Sequence, residues 1–531
     1  METLAAFLDS AVARAPASEA VAAAPRAAVT GRLSWSELRA ASREAAKKLV
    51  LAGAGKGTRI GLLCTNRLEW LPIAFGALRV GAVLVPLSTL WKRDELAHAL
   101  AHADVQLLVT LDRFLRHDYL AMLREVVPDL PRPLYSSRLP ALRRIVLLEG
   151  DAPGYERWSE LPASVDDGFL DALERTVSPL DPATVFFTSG TTAEPKAVLH
   201  AHGALATAAR GIAARLGIEP ADAWWGHLPL FWSGGFVLGA LATIAGGGRI
   251  VLQEVVDAAS ALELLELEAC TIMAGWHQAG PLLDHPDFAR RRLHLRKGTR
   301  ADPELTRRLL GPDHRAVGCY GMSETATFVC AARSDDPEPV RLGTFGRPLE
   351  GTEVRIVDRA TGDPAPAGRE GEILVRGPTL MEVYYGIPRT QTFDAEGFFR
   401  TGDLGFVDQD GCLHFTGRLK DVIKTAGVNV AAAEVEETLL RHPAVQGAYV
   451  VGVRHPTRGE NVAAFVVLRA AAAATPEELQ AFCRETLASY KVPRCVFLVG
   501  ETELPRTATG KVEKAALRRL AEARGGAEPP F

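Results

Sequence analysis

The feature that most constrains the fold of this chain is a regular alternation of short apolar strands with helices. The first round is predicted as strand 60–64, helix 69–79, strand 82–87, helix 94–102, strand 107–110 and helix 117–126. Strands joined through helices run parallel, because a crossover is needed to return the chain to the same edge of the sheet. The alternation returns between 198 and 330, with strands predicted at 249–252, 270–273 and 315–319. The chain is therefore predicted to be an α/β protein.

The last third of the chain changes character twice. Between 343 and 417, short strands at 353–357, 371–375 and 412–415 alternate with Gly, Pro and Asp turns, which indicates antiparallel or barrel-like structure. After residue 418 a further unit is predicted, with helices at 433–441, 476–489 and 511–523 and strands at 447–453 and 462–468.

Composition excludes several classes of protein. The length of 531 residues allows roughly three to four folding units of ~150 residues. A net charge of −4 argues against nucleic-acid binding, which needs a basic surface. The seven cysteines include no C-x-x-C pair, which favours reduced thiols and a cytoplasmic location.

One uncharged stretch is long enough to cross a bilayer. It runs from Leu228 to Gly248, but it contains Pro229 and six glycines, so a buried helix flanked by turns is the expected structure. We therefore expect no transmembrane segment. Glu2 and Asp9 also lie where a signal peptide would need basic and apolar residues.

A hydroxyl-rich loop follows the predicted buried strand Val185-Phe186-Phe187. The loop contains four hydroxyl side chains, one glycine and one lysine: Thr188, Ser189, Gly190, Thr191, Thr192 and Lys196. Hydroxyls and backbone N–H groups can surround phosphate oxygens while the lysine supplies positive charge. An ordinary Ser/Thr/Gly surface loop is the alternative.

Four other polar clusters follow predicted strands or mark changes in composition. They are Tyr320-Gly321-Met322-Ser323-Glu324-Thr325, Phe399-Arg400-Thr401-Gly402-Asp403, Gly417 to Lys424, and Pro505 to Lys511, with Lys511 predicted in the first turn of the last helix. Each taken alone is also compatible with a turn, a linker or a surface lysine. Ligands of open α/β sheets bind at the carboxyl ends of strands, so the clusters are candidates for one site.

Taken together and in this order, these motifs resemble those of the adenylate-forming superfamily. That superfamily includes acyl- and aryl-CoA synthetases, adenylation domains of peptide synthetases and beetle luciferases. The resemblance begins near Leu33 to Leu38, includes Gly81 to Leu87 and covers nearly the whole chain. It implies two doubly wound βα sheets and a small distorted β-barrel (about 343–417) in an N-terminal domain 1–417. A hinge at Lys420 would join this domain to a mobile α+β domain, 418–531.

The resemblance also implies a two-step reaction that uses ATP, Mg²⁺ and coenzyme A. A carboxylate would attack the α-phosphate to give an acyl adenylate, and a thiol would then displace AMP. Loop 188–196 would bind the phosphates, and Glu324 with Thr191 would bind Mg²⁺. Tyr320 and residues near Gly298 would enclose adenine, and Asp403 with Arg418 would hold the ribose. Gly321, Met322 and Ser323 would also belong to the nucleotide site. Lys511 would act in adenylation, and Lys424 in thioester formation after rotation about the hinge.

The chain departs from the family pattern at several positions, which include Ala431-Ala432 in place of an aromatic-proline pair and Lys297 to Arg300 in place of Gly-Gly-Ala. Ala193 and Ala197 replace usual glycines of the phosphate loop, where a positive φ would strain alanine, and Trp232 replaces a usual histidine. No acidic residue lies near 232, which argues for an acid without an α-ammonium group.

The expected acyl pocket is lined by Trp232, Phe236, Gly275, Trp276 and Phe328, and its apolar character favours a medium-chain, alicyclic or aryl acid. A ligase that loads a carrier protein and a weakly active nucleotide-binding scaffold are the alternatives. The expected partners are small molecules, and a homodimer stays open.

Overall fold

The computed structural model describes residues 1–128, 130, 136–188, 196–276, 278–301, 303–425, 428–455, 459–470, 472–487, 491–507 and 510–525. The chain forms two compact units. The first comprises Met1–Glu353 and Arg376–Phe399, and the second comprises Val354–Val375 and Arg400–Phe531. The domain boundary at 417/418 and the hinge at Lys420 stay predictions.

Two large sheets form the first unit. Among the described residues, one sheet has the strand order Val383–Tyr384, Lys196–Ala201, Pro182–Thr188, Val83–Pro86, Arg59–Leu63, Leu107–Thr110, Arg144–Leu147 and Glu156–Arg157. The other has the order Lys297–Gly298, Ile272–Met273, Ala223–Gly226, Arg249–Gln253, Glu19–Ala24 and Gly31–Ser34. Most neighbours pair in parallel, which confirms the α/β prediction.

Helices cover these sheets. They are Leu4–Arg14, Trp35–Leu51, Trp70–Arg79, Arg93–His102, Tyr119–Val126, Asp167–Arg175, His202–Leu216, Ala242–Gly246, Ala258–Leu267, Ala279–Asp284, Pro303–Leu310 and Glu338–Gly343, with a π-helix at Gly234–Leu241. Ser34 caps Trp35–Leu51, because its side chain accepts from the Glu37 N–H while Glu37 accepts from the Ser34 N–H. All ten residues of Trp70–Arg79 are buried, so this helix lies inside the core.

The uncharged stretch from Leu228 forms the π-helix Gly234–Leu241 and the helix Ala242–Gly246, and both are largely buried. This agrees with the expected buried helix. Within the described part of the chain, no helix is both long and apolar enough to cross a membrane.

The second unit has two sheets of its own. A four-stranded sheet has the order Glu353–Val357, Gly371–Arg376, Phe399–Val407 and Leu413–Arg418. A second sheet combines Val428–Ala431, Val422–Thr425, Gly459–Leu468, Val445–His455 and Cys495–Leu498. The helices Ala432–Leu440, Pro476–Thr486 and Lys514–Ala523 complete the unit.

Two sequence-based predictions of local structure were wrong. The strand expected at 315–319 is reduced to Cys319–Tyr320, because the Val317 and Gly318 N–H groups donate to carbonyls of separate segments, Gly298 and Arg341. The last helix begins at Lys514, so Lys511 is not in its first turn. The Thr507 N–H instead donates to the Lys511 carbonyl at 2.8 Å, and Lys511 belongs to a narrow turn before the helix.

Candidate active site

The two sides of the phosphate loop are adjacent antiparallel strands of the larger sheet. Thr188 lies directly opposite Lys196 at the ends of Pro182–Thr188 and Lys196–Ala201. Both residues therefore occupy the base of the loop, as the sequence predicts. Ser189, Gly190, Thr191, Thr192 and Ala193 lie outside the described residues.

Ala197 is not strained. It lies in extended strand opposite Phe187, it is 1% exposed, and its φ is not positive. The strain that a positive φ would cause is therefore absent at this position, because an extended backbone admits any L-residue.

Lys196 and Glu324 meet the same tyrosine. The ammonium nitrogen of Lys196 lies 4.5 Å from the ring centroid of Tyr384, which is cation–π geometry. The Tyr384 hydroxyl donates to Oε1 of Glu324 at 2.7 Å. Burial, followed by the nearby charge of Glu324, raises the pKa of Tyr384, so its phenol stays protonated and keeps donating. Sequence reasoning missed Tyr384, whose only signal is an aromatic pair after a strand.

The turn that carries Glu324 is held from two further sides. The Met381 N–H donates to the Glu324 carbonyl at 2.8 Å. The Nε2 atom of His200 lies 2.7 Å from the Ser323 carbonyl, so Nε2 carries the proton and donates. Burial lowers the pKa of His200 to about 4, which keeps the imidazole neutral at pH 7. Sequence analysis also missed His200, which follows Lys196 on the same face of its strand.

The backbone beyond Glu324 is strained. Ala326 has φ 49° and Thr327 has φ 83°, a conformation that branched side chains rarely adopt. A Cβ at Gly321 would lie 1.7 Å from the Thr327 carbonyl oxygen, so only glycine fits there. Strain of this kind persists where surrounding contacts enforce it and is concentrated at functional sites, typically costing about 1–3 kcal/mol per residue. The turn is therefore built to hold Glu324 in one place.

The segment expected to contact adenine lies beside the one expected to line the acyl pocket. The Trp276 indole N–H donates to the Thr299 carbonyl at 2.9 Å, and the Gly275 N–H lies 3.4 Å from the Thr299 hydroxyl. A Cβ at Gly298 would lie 1.7 Å from the Met273 carbonyl, so glycine is required where these segments meet. Lys297 holds this segment against the protein interior, because its ammonium nitrogen lies 2.7 Å from Oδ2 of the fully buried Asp222.

The predicted pocket residues separate into two groups. Trp232, Gly275 and Trp276 are partly exposed. Phe236 has no exposed surface and packs against Trp70 with ring centroids 5.1 Å apart. Phe328 is 2% exposed. The structure thus places Phe236 and Phe328 in the core and not at a surface that an acid could contact.

The stretch that carries Trp232 is tied to its surroundings by Asn66 and by a serine pair. The buried amide of Asn66 donates to the carbonyls of Gly226 and Leu228, and its oxygen accepts from the Leu230 N–H. The hydroxyls of Ser233 and Ser323 lie 3.0 Å apart. The pair connects the predicted pocket to the Glu324 turn. Sequence analysis did not identify Asn66.

The second unit holds the remaining predicted residues. Asp403 and Arg418 face each other across paired strands, and the Arg418 Nε lies 3.1 Å from the Asp403 Oδ1. The Asp403 side chain is 4% exposed and that of Arg418 is 49% exposed. Lys511 is exposed on its turn. The backbone of Lys420 lies in the short turn Leu419–Asp421, and Lys424 pairs with Asn429 in Val422–Thr425.

The donor chemistry at Glu324 fits Mg²⁺. This ion takes oxygen ligands and is commonly bound by one or two carboxylates together with substrate phosphates and waters. No group of three or more His, Cys, Asp or Glu side chains suited to a metal is present among the described residues. Glu324 is a carboxylate that contacts the same tyrosine, Tyr384, as Lys196 does, and Thr191 lies outside the described residues. A single carboxylate is consistent with an ion that arrives with a nucleotide.

Comparison with known proteins gives a consistent result. The family model described as AMP-binding enzyme matches residues 8–385, and that of the AMP-binding enzyme C-terminal domain matches 434–511. The putative acyl-CoA synthetase YngI of Bacillus subtilis is 31% identical over 92% of both chains. A crystal structure of the anthranilate CoA ligase AuaEII with anthranoyl-AMP has a TM-score of 0.82 at 26% identity, covering 99% of this chain and 98% of that one. The amide bond synthetase McbA from Marinactinospora thermotolerans has a TM-score of 0.80 at 30% identity, covering 97% and 99%.

Proposed function

The chain belongs to the AMP-binding enzyme family, and on this basis we propose that it is an ATP-dependent carboxylic acid–CoA ligase. In the first step the carboxylate attacks the α-phosphate of ATP, which gives an acyl adenylate and releases pyrophosphate. In the second step the thiol of coenzyme A attacks the acyl carbon and AMP leaves. The reaction is AMP-forming and needs no other co-reactant.

The observation that carries this proposal is the contact of Lys196 and Glu324 with one tyrosine. Lys196 ends the phosphate loop, and Glu324 lies in a turn from a different part of the chain, yet both meet Tyr384. A cation at the end of a hydroxyl-rich sequence and a carboxylate that contacts the same tyrosine suit the phosphates of a nucleotide and its Mg²⁺. When bound, Mg²⁺ would neutralise phosphate charge, with Glu324 and Thr191 as its protein ligands.

The second unit supplies the groups proposed for the ribose and for adenylation. Asp403 would accept hydrogen bonds from the ribose hydroxyls. Its partner Arg418 has five N–H groups, so the contact with Asp403 leaves further N–H groups for a ligand. Lys511 contributes positive charge where negative charge develops at the α-phosphate in the transition state. At ~4 Å and an effective dielectric of about 20, such a pair is worth roughly 4 kcal/mol.

We propose an apolar medium-chain, alicyclic or aryl acid as substrate, bound beside Trp232, Gly275 and Trp276. Aromatic side chains and an absence of acidic residues in this stretch favour such an acid over an amino acid. The decisive experiment is AMP formation with ATP, coenzyme A and a panel of acids of graded length and ring content. No AMP with any apolar acid, together with turnover of amino acids, would contradict the assignment.

The acceptor thiol is tested separately. Two further acceptors need comparison with coenzyme A: a carrier protein, and an amine, as the name of the amide bond synthetase McbA suggests. Acyl-CoA formed with coenzyme A alone supports the proposal. Acyl adenylate that accumulates with coenzyme A and is consumed only by a carrier protein or an amine would replace it.

A hinge at Lys420 and a role for Lys424 in thioester formation follow from the same proposal. The short turn Leu419–Asp421 precedes the strand that contains Lys424, so a φ/ψ change there would redirect that strand. The variant Lys420→Pro should keep acid-dependent ATP–pyrophosphate exchange and lose acyl-CoA formation. Equal loss of both half-reactions would contradict a hinge.

A weakly active scaffold is the remaining alternative. It predicts nucleotide binding without acid-dependent ATP–pyrophosphate exchange. Exchange with any acid of the panel would exclude it. A cytoplasmic location and a homodimer also stay proposals, for which fractionation and light scattering are the measurements.

A further inference from the structure

The tyrosine that contacts both Lys196 and Glu324 lies in a two-residue strand at the edge of the larger sheet. Tyr384 pairs with Val198, next but one to Lys196 along the neighbouring strand, and is 9% exposed. Its ring face contacts a cation and its hydroxyl contacts an anion. One neutral side chain therefore meets two opposite charges in different directions.

Lys196 and Glu324 both contact the tyrosine, and among the ion pairs of the described residues none joins them directly. A direct pair would partly neutralise both groups, and a nucleotide would have to break it before the lysine could meet phosphate. The ammonium group instead lies over the ring, and the carboxylate accepts one hydrogen bond from the hydroxyl. Each charge stays available to a ligand.

The backbone around Tyr384 is itself well fixed. The Glu382 N–H donates to the Leu199 carbonyl at 2.8 Å and the Tyr385 N–H to the Ala197 carbonyl at 2.7 Å. The Met381 N–H donates to the carbonyl of Glu324. The same short segment thus binds the strand that carries Lys196 and the turn that carries Glu324.

We propose that Tyr384 is a positioning residue that holds the Lys196 ammonium group and the Glu324 carboxylate apart, in the arrangement that one magnesium–nucleotide requires. The inference deepens the proposed function and rests on it. Tyr384 acts through Lys196 and Glu324. Its two contacts have separate consequences: the hydroxyl orients the carboxylate for the cation, and the ring orients the ammonium group for phosphate.

Two substitutions separate the two contacts. Tyr384→Phe removes the hydroxyl and keeps the ring, whereas Tyr384→Leu removes both. Tyr385→Phe is the matched control, because the Tyr385 hydroxyl donates to Oδ2 of Asp104 at 3.0 Å, so this variant loses the same kind of bond in the same segment. Binding of ATP is measured by titration calorimetry without acid substrate, first in EDTA and then across a series of MgCl₂ concentrations.

For Tyr384→Phe we expect unchanged ATP affinity in EDTA. The gain in affinity on adding Mg²⁺ should be at least about tenfold smaller than in the wild type, as loss of one hydrogen bond to a charged group implies. Tyr384→Leu should also bind ATP about threefold more weakly in EDTA, because the cation–π contact is gone. Tyr385→Phe should match the wild type in both series.

Two results would overturn the inference. One is a Tyr384→Phe variant that matches Tyr385→Phe in its magnesium response. The other is an equal loss of affinity with and without Mg²⁺, which would mean a general structural effect. Tyr384→Phe is nearly isosteric with the wild type, so its magnesium response tests the inference even if Tyr384→Leu fails to fold. Wild-type protein that binds ATP but shows no exchange with any acid contradicts the proposed function alone. Protein that does not bind ATP contradicts both.

Discussion

The candidate site residues of the two units are held in different ways. In the first unit, Glu324 accepts hydrogen bonds from Tyr384 and Met381, and the turn that carries it contains strained residues. In the second unit, Lys511 is exposed on a narrow turn and Arg418 is half exposed beside Asp403. Substitutions near the first group should therefore alter folding as well as activity. Substitutions in the second group should alter activity alone.

The largest effect is expected at Asp222, which supports the Gly298 segment from inside. Its fully buried carboxylate lies 2.7 Å from Lys297 and 2.8 Å from Arg296. Asp222→Ala leaves the buried Lys297 charge without this partner, and we expect it to lower the free energy of unfolding by about 3–5 kcal/mol. Urea unfolding measures this loss.

Glu338→Ala is the control for Asp222, because its pair with Arg307 is exposed on both sides. That variant should cost less than about 1 kcal/mol. An equal effect of the two variants would remove the energetic distinction between the buried and exposed groups.

Lys511→Ala should have the next largest effect, and only on chemistry. We expect acid-dependent ATP–pyrophosphate exchange to fall by at least ~100-fold, which corresponds to about 2.7 kcal/mol of transition-state stabilisation. The melting temperature should not change, because the side chain is exposed. Arg519→Ala, at another exposed position of this unit, is the control and should keep full exchange. A Lys511 variant with wild-type exchange would exclude this lysine from adenylation.

The pH dependence of stability tests the buried His200 that supports the Glu324 turn of the first unit. Burial lowers the pKa of His200 to about 4, whereas the ordinary value is 6.5. Below pH 6.5 the unfolded state therefore binds a proton that the folded state does not, so stability falls as pH falls from 6.5 towards 4. From these two pKa values, His200 should lower stability by about 2 kcal/mol between pH 7 and pH 5.

His200→Gln keeps a donor for the Ser323 carbonyl and has no titrating ring. Between pH 7 and pH 5, the free energy of unfolding of this variant should fall by about 2 kcal/mol less than that of the wild type. Burial also lowers the pKa of His202 to about 4, so this residue should still make the stability of the variant fall by a similar amount as the pH falls. Identical pH profiles for the variant and the wild type would show that His200 is not buried in neutral form.

The smallest effect is expected at Arg418. Arg418→Ala removes one half-exposed partner of the buried Asp403 carboxylate, so the loss of stability should be smaller than that of Asp222→Ala. The KM for ATP should rise by roughly tenfold with little change in kcat, as expected for a contact made equally in the ground and transition states. Loss of stability larger than that of Asp222→Ala would reverse the comparison between the units.

Local patterns were enough to predict much of the fold and part of the site. Apolar runs separated by helical periodicity located strands such as Leu107–Thr110 and helices such as Trp70–Arg79 within a residue or two. Lys196 and Glu324 could be proposed as candidates from their motifs because the residues around them are contiguous in sequence. The start of the last helix was misplaced, since the turn before it depends on a hydrogen bond that closes back on Thr507.

The sequence by itself determined the α/β class, the hydroxyl-rich loop and the residues offered to a nucleotide, because periodicity and short motifs act over neighbouring residues. Tertiary structure alone decided that Tyr384 contacts both Lys196 and Glu324, that His200 supports the Glu324 turn, and that Phe236 is core. Glu324 and Tyr384 are 60 residues apart, and His200 and Ser323 are 123 apart. Contacts over such separations exist only once the sheets have formed and packed, so no local pattern encodes them.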